Sequence, residues 1–236
     1  MKKILAILCV ASVLTSAMFA APKKTKTKGT KIGVSMPTKD LQRWNQDGAN
    51  MKAQLQKAGY KVDLQYAAND IPTQVSQIEN MVTGKCKVLV IAAIDGSALK
   101  NPLDQAKKKG IKVIAYDRLI MNTDAVSYYA TFDNYKVGTI QGEYLVDKLG
   151  LKDRTKKNPV YMELFTGDPG DNNINFFFGG AMDILNPYIE SGVIVVPSKQ
   201  TSKAQCATLN WSTEEAQKRM ENLITSNGYG PKGKKL

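Results

Sequence analysis

The sequence predicts an α/β protein made of doubly wound parallel sheets flanked by helices, and three observations predict it. Short β-branched runs alternate with longer amphipathic stretches along nearly the whole chain, the pattern that right-handed βαβ crossovers leave in a sequence. The run VLVIAA at 88–93 is apolar without alternation, as expected of a strand covered on both faces. Two helical stretches stop at a glycine, Gly59 and Gly110, the residue that suits a left-handed C-terminal cap.

Seven strands are predicted, at 31–36, 60–66, 88–93, 111–116, 127–131, 160–165 and 193–196. After the first, 43–58 sets Trp44, Gly48, Met51 and Leu55 at helical spacing. The helix at 71–82 carries Pro72 in its first turn, where a missing N–H leaves no bond unmade, and aligns Val75, Ile78 and Val82. A helix at 97–109 spaces Leu99, Leu103 and Ala106 for one face, and helices at 134–149, 175–185 and 213–226 continue the series. A first lobe is therefore expected over 31–132 and a second over 133–226. With two strands, the second is expected to be incomplete, because a doubly wound unit needs more elements. Residues 227–236, with three glycines, a proline and three lysines, read as a flexible tail.

At the other end, Lys2 and Lys3 precede an apolar run and then small residues around Ser16, Ala17 and Ala20. This is the layout of a secretory signal peptide over 1–20, and the run is shorter than the roughly 20 apolar residues that cross a bilayer. Cys9 lies inside the run behind the bulky Leu8, which argues against a lipoprotein cleavage site. Export is expected, with a basic flexible segment at 21–30.

The formal net charge of +12 invites a nucleic-acid reading, but ten of the 33 basic residues crowd the two ends, leaving 23 against 21 acidic ones. Lysine-rich ends read as solvated arms, so no nucleic-acid partner is expected. The chain has no histidine, which excludes His-based triads, His-liganded metals and a His general base. Cys86 and Cys206 fall in different predicted lobes and offer no close pair of metal ligands. Two buried free thiols, and neither metal nor cofactor, are expected.

In open parallel sheets, ligands bind beyond the C-terminal ends of the strands. The loop MPTKDLQRWNQDG offers Lys39, Asp40, Arg43 and Trp44 there, and YDRLI offers Asp117 and Arg118. LFTGDPGDNNINFFFGG sets Asp171, Asn172, Asn173 and Asn175 before three phenylalanines. Carboxylates and amides accept from hydroxyls while Arg, Lys and Asn donate, and charged hydrogen bonds offset desolvation better than neutral ones. Plainer roles stay open at this point. Asp117 and Arg118 also suit a local ion pair, Trp44 suits helix packing, and the Asn-rich turn suits capping of the next helix. The three phenylalanines cannot all face one way, so at least one belongs to the core.

The segments KIGVSMPTKDLQRWNQDG, DLQYAANDIPTQVSQIENMV, VLVIAAIDG, GIKVIAYDRLI, VSYYATFDNYKVG and ELFTGDPGDNNINFFFGGAMDIL resemble the xylose- and multiple-sugar-binding group of periplasmic substrate-binding proteins, over about 31–223. The resemblance implies a two-lobed type I periplasmic-binding-protein fold that closes over one monosaccharide, D-xylose or another aldose. It implies a periplasmic location, an ABC-importer permease as partner and, in some members, a chemoreceptor or sensor kinase. Carried over by position, first-lobe sugar contacts fall on Lys39, Arg43, Trp44, Asp117 and Arg118, and second-lobe contacts on Glu163, Asn172 and Asn173. Trp211, in LNWSTEEAQKRM, matches a tryptophan that family members carry before a helix. The family's pattern continues past the last residues here, so a C-terminally truncated receptor is expected, and a monomer. Three rivals remain. A repressor of related fold would open on a helix-turn-helix, a glycosidase would pair Asp117 with Glu163, and an unfinished receptor would lack sugar function.

Overall fold

A computed structural model describes residues 29–235. Five parallel strands, β1 (Lys31–Met36), β2 (Lys61–Tyr66), β3 (Val88–Ile91), β4 (Lys112–Tyr116) and β5 (Val126–Ala130), form one sheet in the order β2-β1-β3-β4-β5. The apolar stretch at 88–93 divides between two cores. Val90 and Ala92 pack with Trp44, Met51 and Leu55 of α1 (Gln42–Lys57), while Leu89, Ile91 and Ala93 pack with α2 (Ile71–Thr83) and α3 (Lys100–Lys108). Helices on both faces explain why that strand needs no polar side. Asp70 caps α2 by accepting from Thr73 N at 2.8 Å, with Pro72 in the first turn. Helix α3 begins three residues later than the sequence predicts, because Asp95 instead ties Ser97 and Ala98 into a turn.

The second part of the chain has α4 (Asn134–Lys148), β6 (Val160–Tyr161), α5 (Asn173–Glu190), β7 (Ile194–Val195), α6 (Lys203–Cys206) and α7 (Thr213–Asn227). Helices α4 and α5 pack backbone to backbone through glycine. A Cβ on Gly138 would run into the Phe177 carbonyl, and one on Gly180 into the Tyr135 carbonyl. The strands are shorter than predicted, two residues each in place of 160–165 and 193–196. A ladder extends only as far as a neighbour does, and beyond Met162 the chain bonds to loops and to α7. Around this small sheet lies a core of Val146, Leu151, Leu164, Met182, Leu185 and Ile194.

The segment after α7, read from the sequence as a flexible tail, folds back through a Tyr229–Lys234 bridge, and the Tyr229 hydroxyl donates to Glu163 at 2.7 Å. Cys86 and Cys206 are buried free thiols. The signal peptide at 1–20 and most of the basic segment at 21–30 lie outside the described residues. Among the described residues, no helix is long and apolar enough to cross a membrane.

Candidate functional site

The chain winds from β1 to β2 on one side and to β3, β4 and β5 on the other, so the loops leaving β1 and β3 diverge and open a crevice at their C-terminal ends. A cavity of about 350 Å³ lies there. It is lined from α1 by Arg43 and Trp44, from the β4 exit by Asp117 and Arg118, from the second part by Asp171, Asn173, Phe177 and Trp211, and from between them by Phe132.

Asp117 turns the chain sharply at the end of β4, with φ +64°, a left-handed conformation that aspartate tolerates better than most residues. Its carboxylate accepts a short hydrogen bond from the Arg43 guanidinium, which also faces Asp47 at 3.5 Å. Half-burial by itself would lower the Arg43 pKa, but the Asp117 bond and charge outweigh it and raise the value. The Asp117 carbonyl accepts from Asn173 Nδ2 at 3.0 Å, Tyr129 Oη at 3.1 Å and Thr131 Oγ1 at 3.2 Å.

Arg118 is only 6% exposed and donates through one terminal nitrogen to the Ala93 and Ile94 carbonyls, at 3.0 and 3.4 Å. Its Nε stands 3.2 Å from Asp171 Oδ2 without hydrogen-bond alignment, so the contact is an ion pair. Burial pushes the Asp171 carboxyl above its ordinary value, against the pull of Arg118. The same carboxylate accepts from Trp211 Nε1 at 3.1 Å and from Asn173 N at 2.9 Å. Asn173, 2% exposed, reaches across to the first part through Asp117 and Tyr129 and accepts from Asn134 Nδ2 at the start of α4.

The apolar walls are equally ordered. Arg43 and Arg118 both lie over the Trp44 ring, 4.5 and 5.3 Å from its centroid, where ring quadrupole and cation attract. Phe132 and Phe177 stack at 6.2 Å, and Phe177 meets Trp211 edge-on at 6.4 Å. Trp211 has φ +54°, costly for a bulky residue and a mark of a position held for a reason. Its indole lies on Gly167, where a Cβ would overlap the ring.

Six of the nine residues predicted from sequence meet at this cavity: Arg43, Trp44, Asp117, Arg118, Asn173 and Trp211. Three do not line it. Lys39 stands over the Tyr66 ring at 5.3 Å. Asn172 stands at the N-cap position of α5, but its side chain accepts from the Asn175 Nδ2 side-chain amide at 2.9 Å and caps no backbone N–H, so the capping role left open above is not met by Asn172. Glu163 lines a neighbouring hollow, with its oxygens on Ser198 N, Ser198 Oγ and Tyr229 Oη at 3.2, 2.5 and 2.7 Å. The acid–base pair that a glycosidase would need from Asp117 and Glu163 is therefore not assembled at the cavity. Phe132 joins the site unannounced, while Asp171 and Phe177, named from sequence only as members of the loop and the phenylalanine run, join it as lining residues. The one available signal was that a buried Arg118 demands a carboxylate, and the DPGDNN loop held it. Of the three phenylalanines, Phe177 faces the cavity, Phe178 packs on the core and Phe176 is exposed.

Donors, carboxylate acceptors and aromatic walls converge between two α/β units on a cavity whose chemistry suits a small polar molecule. Among the described residues, no cluster of three acidic, Cys or His side chains is placed to hold a metal ion. The particular family follows from comparison. The model of the periplasmic binding protein domain matches residues 32–233, and the chain belongs to this family, one of substrate-binding proteins and not of enzymes.

The chain is 54% identical over 226 residues to the multiple sugar-binding periplasmic receptor ChvE of Rhizobium radiobacter, covering 96% of this chain and 63% of that one. It is 38% identical to the D-xylose-binding periplasmic protein of Escherichia coli, over 96% of this chain and 62% of that one. An ABC transporter solute binding protein of Clostridium phytofermentans, solved with bound β-D-glucose, superimposes with a TM-score of 0.83 at 63% identity, over 88% of this chain and 63% of that one. The fold is thus the type I periplasmic-binding fold that the sequence predicts, and the chain spans about three-fifths of the length of the relatives it matches.

Proposed function

We propose that this chain captures a monosaccharide between two lobes, 31–132 and 133–226, and presents it to the permease of an ABC importer. The observation that carries this reading is the cavity itself, where Arg43, Asp117, Arg118, Asp171 and Asn173 converge beside Trp44, Phe132, Phe177 and Trp211. The two guanidinium groups already face carboxylates, which favours an uncharged polyhydroxy ligand over an anion. Aromatic rings suit the apolar C–H face of a pyranose. An aldose is the ligand class, D-glucose or D-xylose first among them, in line with the relatives' names. Export by a signal peptide at 1–20 places the protein in the periplasm, where a chemoreceptor or sensor kinase is a further partner.

Isothermal titration of residues 21–236 with D-xylose, D-glucose, L-arabinose and D-galactose tests the reading. One sugar is expected to bind, and Arg43→Ala and Asp117→Ala are each expected to weaken it by more than about 1.5 kcal/mol, the loss typical of a charged hydrogen bond. That is roughly tenfold in Kd. Binding that survives both substitutions unchanged refutes the site.

A further inference from the structure

In a parallel sheet every strand starts at one end and every crossover helix finishes there, so the residues at those junctions gather at the end opposite the crevice. In the five-stranded sheet that end is made of lysine. Lys31, Lys61 and Lys112 open β1, β2 and β4, and Lys87 stands one residue before β3. Backbone bonds set them side by side: Lys87 N donates to Lys31 O at 2.9 Å and Lys112 N to Lys87 O at 3.1 Å, while Lys61 is the register partner of Lys31. With strands about 4.8 Å apart, the row spans roughly 14 Å. Lys57 ends α1, Lys107, Lys108 and Lys109 close α3, and Lys85 turns the chain between α2 and β3 with φ +63°.

Eight of these nine lysines are exposed and Lys31 is partly buried. Asp63 answers Lys31 at 2.9 Å and Asp124 answers Lys107 at 2.5 Å, and the other seven have no ion-pair partner among the described residues. Helix dipoles favour cations at helix C-termini, which accounts for Lys57 and the α3 lysines but not for the row on the strands. There, like charges set directly opposite each other, as at Lys31 and Lys61, cost stability, and the fold keeps them. The chain also enters the fold at this end, where Gly29 N donates to Gly59 O at 3.2 Å, and the sequence just ahead carries Lys23, Lys24, Lys26 and Lys28.

We propose that this lysine end binds an anionic phospholipid surface. Its composition points to the occupant. Both arginines of 31–132 sit at the cavity, so the lysine end lacks the guanidinium forks that grip single phosphates. Tyr60, beside Lys61, packs on the core and offers no ring for a nucleic-acid base to stack on. Flexible point charges spread over a whole end suit the smeared charge of lipid headgroups, each lysine strengthening the attraction by roughly fivefold. Bound this way, the chain holds its crevice at the far ends of the strands, turned from the bilayer and open to solutes. Binding needs no sugar and stands apart from the sugar reading.

The experiment sediments residues 21–236, which include the whole described fold, with vesicles of phosphatidylcholine alone and of equal parts phosphatidylcholine and phosphatidylglycerol. Binding to the mixed vesicles alone is expected, and it is lost in high salt as screening shortens the reach of each charge to a few ångströms. Lys61→Gln, Lys87→Gln, Lys109→Gln and Lys112→Gln together are expected to weaken it at least about a hundredfold at an unchanged Tm. Should that variant melt early, Lys112→Gln alone is expected to weaken it roughly fivefold. Lys148→Gln, Lys152→Gln, Lys156→Gln and Lys157→Gln together remove the same charge from the second part of the chain and are expected to cost less than about fivefold. No binding of the unaltered chain to the mixed vesicles overturns the proposal, as does equal binding to both kinds of vesicle or an equal loss in the two fourfold variants. Tighter binding to duplex DNA than to the mixed vesicles, at the same phosphate and salt concentrations, overturns it too, because the lysine end then takes nucleic acid.

Discussion

Replacing Arg118 by methionine removes one half of the buried ion pair that ties the β4 exit to the loop before α5. Arg118 is 6% exposed and Asp171 4%, so the substitution leaves a carboxylate in the interior with no cation beside it. It also strips the donor from the Ala93 and Ile94 carbonyls. Breaking a buried pair from one side typically costs about 3–5 kcal/mol. In a chain of this size each kcal/mol moves Tm by roughly 2–4 °C, so a fall of about 6–20 °C is expected.

The pH dependence carries a sign. The native Asp171 value is raised by burial, so the folded state binds the proton more tightly than the unfolded one. Its contribution to stability is fully present below the ordinary aspartate value of about 3.9 and is lost as pH rises through the native value. Without Arg118 that native value rises further, so the deficit of Arg118→Met relative to the parent is small in acid and grows toward neutral pH. Urea denaturation from acid to neutral pH, run as a double-mutant cycle with Asp171→Asn, measures both effects. A loss under about 1 kcal/mol at neutral pH, or losses that simply add, refutes the coupling.

Three further outcomes follow from the packing. Gly138→Ala drives a methyl into the Phe177 carbonyl and should cost about 1–3 kcal/mol by overpacking, whereas Gly179→Ala meets nothing within 4 Å and should be neutral or stabilising; calorimetry of the pair checks the contrast. Gln74 is fully buried and bridges β1 and β3 from beneath α2, donating to Ser35 Oγ at 3.1 Å and Ala92 O at 3.0 Å and accepting from Ile94 N at 2.9 Å. Gln74→Leu should cost about 1–3 kcal/mol for each backbone group left unsatisfied, read as a lower denaturant midpoint with an unchanged slope. Glu163→Gln should lower stability by about 1 kcal/mol and leave sugar affinity unchanged, and a marked loss of affinity in titration would return Glu163 to the site.

The elements of the larger sheet were legible because their causes are local. VLVIAA announced a strand covered on both faces, Pro72 a helix start, and Gly59 and Gly110 helix ends. The loops after β1 and β4 were legible as loops that meet at one crevice for the same reason, since strand ends in a parallel sheet point one way. Pairing is a different kind of fact. The lengths of β6 and β7 depend on what lies beside them, so two apolar runs of four to six residues yielded a ladder of two pairs.

The site divides along the same line. Residue types and their loops are properties of the sequence, and they named Arg43, Trp44, Asp117, Arg118, Asn173 and Trp211. Only the tertiary structure decided that Asp171 answers Arg118 across the junction, that Trp211 lies on Gly167, and that Glu163 spends its oxygens on Ser198 and Tyr229. A buried charge or ring takes whichever partner the fold brings within a few ångströms. That partner stands 53 residues away for Arg118 and 66 for Glu163 with Tyr229, a separation at which no periodicity in the chain carries the information.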